Sequence, residues 1–559
     1  MRLTTHNRSA FAVFAAFLLS SGAGVAQSTV RVSVSLLGGD ANGPSARPSL
    51  SYNGLAVAFE STASNLVAGD ANLLRDVFVR DVLAGTTVRA SVATGGAEAD
   101  GVSDYAAISG DGRFVAFRSA ATNLVAGDTN GVTDIFVHDL TTASTERASV
   151  TTSGEQLTNG SATPFLSADG RWLAFAAASP NLGAAGLYLR DRQTSITAPG
   201  IVPNSPASAK RPWLSADGQT LAAWGYQPIG FGGGNVARIR RPNGAQSYYA
   251  YGGVHFEDPN TRMAAVSSDG RYLVMEHDAL MPGDTVPQMN IYVRDTVSGL
   301  ITCESLTLSG RGAGAVNGTL STNGRFVAFE SSSPYLISSD LNGQRDIFVR
   351  DRTSGRTARV SGSSGAVQSN GWSANAQISS DGRFVVFESS ATNLVPGDTN
   401  GAIDIYLVDT CLSELSLYTY CTAGTTVHGC VPSIAGIGAP SSQATSGFDI
   451  VVSNVPGQRY GTLFYGFYAA SIPWAPFSPS YQCIASPVQR LGIFDSGGSA
   501  GQCNGELRVD FNAWRAANPG SLGSPFVAGQ VFYAQGWFRD PGAPKQTNLS
   551  DGLRFTLCD

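Results

Sequence analysis

The sequence predicts an all-β protein, a seven-bladed β-propeller closed by its N-terminal strand and followed by a small disulfide-bonded β-sandwich. Three observations lead to that class. A Ser-x-Asp/Asn-Gly motif followed by an apolar run recurs seven times, at Ser51, Ser109, Ser167, Ser215, Ser267, Ser321 and Ser379. Successive serines stand 48 to 58 residues apart, a step that suits a four-stranded blade and is too long for a solenoid coil of roughly 20 to 30 residues. Sustained helical periodicity is lacking, while 65 glycines and 26 prolines supply turns between segments rich in Val, Ile, Phe, Tyr and Thr.

One repeat shows how a blade is written. Asp111-Gly112 separates two apolar runs, and Gly supplies the positive φ that a tight hairpin needs. The run Arg113 to Phe117 is apolar on both alternating faces, so this strand is expected to be covered on both sides. A third strand is predicted at Asp134–Asp139, echoed at Asp76–Asp81, Leu187–Asp191, Ile291–Asp295, Asp346–Asp351 and Asp404–Asp409. A fourth is predicted at Thr145–Val150, echoed at Thr86–Val92 and Thr357–Ser361. The seventh unit has no fourth strand before Cys411, whereas Thr29–Val34 is an orphan fourth strand that matches Thr87–Val92. The N-terminal segment is therefore expected to complete the last blade, which removes exposed sheet edges.

The first 26 residues read as an export signal: Arg2 and Arg8, a short apolar run over Ala10–Leu19, and small residues at Gly24-Val25-Ala26. About ten apolar residues fall short of the roughly 20 that span a bilayer. The expected divisions are a signal peptide over 1–26, a propeller over 27–411 and a C-terminal module over 412–559, in a chain that is secreted to the cell surface, the periplasm or the medium. Removing Arg2 and Arg8 takes the formal charge from -6 to -8, which argues against nucleic acid as a partner. Six cysteines, Cys411, Cys421, Cys430, Cys483, Cys503 and Cys558, lie in the last 150 residues and read as three disulfides, with Cys303 left over. Fifteen pairings are open, and short loops favour Cys421 with Cys430, Cys483 with Cys503, and Cys411 with Cys558.

Ser-x-Asp-Gly-Arg-Phe-Val-Ala-Phe followed by Asp-Ile-Phe-Val-x-Asp resembles the TolB-like, WD-repeat-like propeller repeat, over about residues 28 to 411. The chain departs from TolB itself in having seven repeats rather than six and no separate domain ahead of them. The resemblance implies a propeller used for recognition. Tyr420-Cys421-Thr422-Ala423, Leu463-Phe464-Tyr465-Gly466 and Trp537-Phe538-Arg539-Asp540-Pro541 look like the Cys-containing C-terminal module of secreted bacterial repeat proteins.

Two sets of side chains stand out as candidate sites. Asp-x-Asn-Gly-x-x-Asp recurs as Asp128, Asn130, Asp134; Asp340, Asn342, Asp346; and Asp398, Asn400, Asp404, with a degenerate copy at Asp70, Asn72, Asp76. Carboxyl and amide oxygens alternating on a tight turn could ligate calcium; the same groups could instead cap their own turn and anchor the strand. Trp213, Trp224, Tyr226, Tyr249 and His255 cluster where the repeat is most divergent and would form a ligand face for a sugar or peptide. Gly497-Gly498-Ser499-Ala500-Gly501 imitates a nucleophile motif, but it lacks the strand-to-helix setting, and only four scattered histidines follow the signal. The expected function is non-catalytic binding or scaffolding of a protein or glycan outside the cytoplasm, with no cofactor required. The alternatives are a propeller-type glycan hydrolase or lyase, which needs paired carboxylates, and a calcium-stabilised envelope component.

Overall fold

The computed structural model describes residues 28–201, 210–228, 233–240, 246–249, 262–278, 287–364, 367–410, 417–438, 440–475, 480–527 and 530–558. The expected signal peptide over 1–26 lies outside them. Among the described residues between Ser28 and Asp409 the chain forms seven four-stranded antiparallel sheets. The first consists of β2 (Ser45–Leu50), β3 (Ala56–Ser61), β4 (Asp76–Asp81) and β5 (Thr86–Arg89), hydrogen-bonded in chain order. The last consists of Ser373–Ile378, Phe384–Ser389 and Asp404–Asp409, with a fourth strand taken from the beginning of the chain, β1 (Ser28–Arg31). β1 runs antiparallel to Asp404–Asp409, Thr29 opposite Val408 and Arg31 opposite Tyr406. The Val32 N–H then donates to the Ile405 carbonyl at 2.7 Å.

The repeated serine motif is a hydrogen-bonded turn. In all seven copies the serine hydroxyl donates to the Asp or Asn side chain two residues on, as Ser167 does to Asp169 at 2.6 Å and Ser379 to Asp381 at 2.6 Å. It also accepts the N–H of the residue five positions on, as from Phe384 at 2.9 Å. The turn glycine has positive φ in every copy, from 67° to 83°, a region closed to most side chains.

These turns also connect the sheets. The Tyr52 N–H donates to Gly110 O (2.9 Å), Asp111 N–H to Ala168 O (2.8 Å), Ala168 N–H to Ala216 O (2.9 Å) and Ala216 N–H to Ser268 O (2.9 Å). The Ser268 hydroxyl continues to Thr322 at 3.0 Å. Thr322 N–H then donates to Ser380 O and Ser380 N–H to Tyr52 O, both at 2.9 Å, so the series ends on the residue where it began.

Apolar packing is shared between neighbours. Val57, Phe59 and Phe78 of the first sheet are fully buried against Val386, Ile405 and Leu407 of the last. β3 is buried along nearly its whole length, as expected of a strand covered on both faces.

Beyond Leu417 a five-stranded and a three-stranded sheet enclose one core of Leu417, Ile434, Phe448, Tyr465, Phe511, Phe532 and Phe555. The sequence reading is all-β, and the two longest strands of this module are Tyr460–Pro473 and Tyr481–Asp495. A short helix, α1 (Phe511–Ala517), is an addition to that reading; the Asp510 side chain caps it by accepting the Ala513 N–H.

The disulfides correct the expected pairing. Cys421 is bonded to Cys483 and Cys430 to Cys503, not Cys421 to Cys430 and Cys483 to Cys503. Proximity in the sheet outweighs proximity along the chain: Tyr420, next to Cys421, donates its hydroxyl to the Cys483 carbonyl at 2.5 Å. Cys558 is also disulfide-bonded; its expected partner Cys411 lies outside the described residues. Cys303 is free, and burial raises its thiol to about 11.

Candidate binding site at the loop ends of the sheets

Each sheet has a turn end, where the serine motif lies, and an opposite loop end, where in four sheets the Asp-x-Asn-Gly segment or its degenerate copy lies. In those segments a guanidinium occupies the place between the acidic side chains. Arg147 lies 3.0 Å from Asp128 and 3.7 Å from Asp134. Arg89 lies 3.1 Å from Asp70, 3.5 Å from Asp76 and 2.5 Å from Glu98. Arg31 lies 2.6 Å from Asp40, 3.4 Å from Asp398 and 3.6 Å from Asp404, and Arg359 lies 3.1 Å from Asp340.

The asparagine of each loop donates to the following aspartate, Asn130 to Asp134 and Asn342 to Asp346 at 2.8 Å and Asn400 to Asp404 at 3.1 Å. The other oxygen of that aspartate accepts a serine hydroxyl from two residues past the fourth strand: Ser149 to Asp134 at 2.6 Å, Ser361 to Asp346 at 2.5 Å and Ser33 to Asp404 at 2.6 Å. Burial raises the carboxyl groups of Asp70, Asp128, Asp340 and Asp404, and the adjacent arginines oppose that rise. The loops thus tie the third strand to the fourth through a buried cation. Among the described residues no group of three or more His, Cys, Asp or Glu side chains is placed to hold a metal ion.

A second constellation lies at the same end and was not foreseen from the repeat. The first strand of several sheets carries a bulge whose residue has positive φ: Arg47 at 48°, Tyr105 at 53°, Asn317 at 55° and Asn375 at 53°. That conformation turns the backbone N–H toward a glutamate of the preceding sheet. Asn317 N–H donates to Glu276 at 2.6 Å, Asn375 N–H to Glu330 at 2.7 Å, Arg47 N–H to Glu388 at 2.7 Å and Tyr105 N–H to Glu60 at 2.9 Å. Three of the same residues reach the glutamate of their own sheet with their side chains: Asn317 to Glu330 at 2.9 Å, and Asn375 to Glu388 and Arg47 to Glu60 at 2.8 Å. A continuous belt therefore links Glu276, Asn317, Glu330, Asn375, Glu388, Arg47, Glu60 and Tyr105. Burial raises the carboxyl groups of Glu60 and Glu330.

The belt is electrostatically lopsided. The second sheet has Arg118 at the position where four sheets have glutamate, the third has Ala176 and the fourth Trp224; Arg118 forms a two-pronged pair with Asp104 and, like Arg47, lies over the Tyr105 ring. Arg75 and Arg345, the residues just before two of the third strands, approach Glu60 and Glu330 only to 3.5 Å. Their side chains are 41 % and 42 % exposed, and Arg345 lies over the Trp372 ring at 5.4 Å. The signal available in the sequence was a glutamate inside an apolar strand, Phe59-Glu60-Ser61, Phe329-Glu330-Ser331 and Phe387-Glu388-Ser389.

Of the expected aromatic face, Trp213 is the residue whose side chain lies among the described contacts. The Trp213 ring lies tilted against Phe165, ring centroids 5.0 Å apart, and packs against a buried core. Trp224 and Tyr226 belong to the strand Leu221–Pro228 and Tyr249 to Gln246–Tyr249; His255 lies outside the described residues. The Ser499 segment sits in a loop tied by Cys430–Cys503, where the His428 ring meets Arg459 at 3.4 Å.

No family model and no curated protein matches the chain. Solved structures do, and they are propellers. The chain is similar to the β-propeller domain of the trilobed protease of Pyrococcus furiosus, with 13 % identity and a TM-score of 0.42, over 62 % of this chain and 91 % of that one. It is similar to an oligogalacturonate lyase in complex with manganese, with 13 % identity and a TM-score of 0.44, over 68 % and 96 %. It is similar to TolB of Acinetobacter baumannii, with 14 % identity and a TM-score of 0.33, over 63 % and 76 %. What these likenesses speak to is the fold; no activity is carried over from them.

Proposed function

We propose that the seven sheets are the blades of one closed propeller, completed by β1, and that the exported chain is a non-catalytic binding or scaffolding protein for a protein or glycan. Closure is supported by the turn series that starts and ends on Tyr52 and by the pairing of β1 with Asp404–Asp409. Disulfides in the C-terminal module suit an oxidising compartment, and among the described residues no helix is long and apolar enough to cross a membrane.

The observation that carries binding over catalysis is the state of the belt. Hydrolysis or lyase chemistry at the channel would need carboxylates free to exchange protons with a substrate. Glu60, Glu276, Glu330 and Glu388 each accept a bulge N–H instead, while the neighbouring Arg75 and Arg345 keep donors open to an incoming group. Incubating the exported chain with panels of peptides, esters and glycans should yield no turnover, and pull-down from the native envelope should yield a ligand. Turnover abolished by Glu60→Gln or Glu330→Gln would overturn this reading in favour of the hydrolase or lyase.

A further inference from the structure

The loop end carries exposed apolar side chains that the fold does not use. Leu73 stands at the position that Gly131, Gly343 and Gly401 fill in sister loops, and it keeps their left-handed backbone, φ 57°. A leucine there is strained relative to glycine, yet its side chain is 80 % exposed. Leu341, in the corresponding loop of the sixth sheet, is 84 % exposed, and Leu37, in the loop joining β1 to β2, is 96 % exposed. Leu73 is two residues from Arg75 and Leu341 four residues from Arg345, so each half-exposed guanidinium has a leucine beside it in the same loop. Arg47, hydrogen-bonded to the same Glu60 oxygen that Arg75 approaches, adds a third partly exposed guanidinium.

From this juxtaposition we propose that the loop end of the sixth, seventh and first sheets is a docking surface for an acidic polypeptide segment, its carboxylates meeting Arg47, Arg75 and Arg345 and its apolar side chains meeting Leu37, Leu73 and Leu341. The inference rests on the binding reading above and names its partner class. Charge decides the sign of the partner: the guanidiniums of Arg75 and Arg345 are held 3.5 Å from buried carboxylates, leaving N–H donors for a second carboxylate, which an arginine fork binds well. The leucines decide its nature, because exposed apolar groups next to arginines offer a sugar little and an apolar side chain much.

The test is fluorescence anisotropy with a labelled synthetic peptide rich in Glu and carrying two Leu, beside its Lys-for-Glu counterpart, oligogalacturonate, and phosphatidylcholine–phosphatidylserine vesicles. The Glu peptide is expected to bind, more weakly as salt is raised, and Arg75→Glu with Arg345→Glu should weaken it about tenfold or more, the scale of one lost charge-assisted contact. Leu73→Gly should weaken binding while raising the melting temperature, because it removes strain along with a contact; a purely structural leucine would change only the melting temperature. Absence of peptide binding, or binding that survives these substitutions, overturns the proposal. Preferential capture of oligogalacturonate or vesicles also overturns it while leaving a binding protein; substrate turnover would instead remove the reading on which it rests.

Discussion

The Phe384 ring of the last sheet occupies the space that a Cβ on Gly54 of the first sheet would need. The same contact joins neighbouring repeats elsewhere: Phe114 meets Gly170, Trp172 meets Gly218, Tyr272 meets Gly324 and Phe326 meets Gly382. At Gly54 the contact joins the first of the seven sheets to the last, so it measures the junction between them.

Gly54→Ala is expected to destabilise the propeller by about 1 to 3 kcal/mol, through overpacking against Phe384 and the positive φ of 75° together. Gly127→Ala is the control: φ is 73° there as well, but nothing lies within 4 Å of the added carbon, so only the backbone strain is added. Thermal melts of the two variants check the difference. Equal losses would show that the Phe384 contact contributes nothing.

Arg31 ties β1 to the last sheet. Its side chain is 7 % exposed and lies among Asp40, Asp398 and Asp404, and Tyr406 also donates its hydroxyl to Asp398 at 2.5 Å. Arg31→Met leaves buried carboxylates without their cation and should cost about 3 to 5 kcal/mol. Deletion of residues 27–36 should go further and open the seam. Limited proteolysis is the readout, with cleavage expected first near the strand Asp404–Asp409, whose partner has been removed.

Calcium should leave the melting temperature unchanged, and so should a chelator. Arg147, Arg89, Arg31 and Arg359 already sit between the aspartates that would ligate it, and a second cation there would be repelled. A rise in melting temperature with millimolar calcium would restore the ligand reading of Asp128, Asn130, Asp134 and their counterparts.

Asp551 gives the C-terminal module a pH dependence. Burial raises its carboxyl to about 6, although it accepts the Ile434 N–H at 2.7 Å. The unfolded chain therefore loses this proton at lower pH than the folded one, so the fold is weakened as pH rises from about 4 to about 6 and the penalty persists above that. Asp551→Asn keeps an oxygen for Ile434 and removes the charge. It should raise the melting temperature near pH 7 and do so much less near pH 4.

Sequence by itself determined whatever is local and periodic. Ser379, Asp381 and Gly382 lie within one turn and recur seven times, so their hydrogen bonds follow from spacing, and the orphan segment at Thr29–Val34 announced its pairing because it copies a fourth strand. The tertiary structure decided what depends on meetings between distant residues. Cys421 faces Cys483 rather than the nearer Cys430 because neighbours in a sheet are set by strand register, not by chain separation. The loop aspartates meet arginines because Arg31, Arg89 and Arg147 come from fourth strands paired beside those loops, a meeting that the loop motif by itself does not specify. Glu60 and Glu330 acquire their roles from bulge N–H groups of the next sheet, an encounter that no period in the sequence encodes.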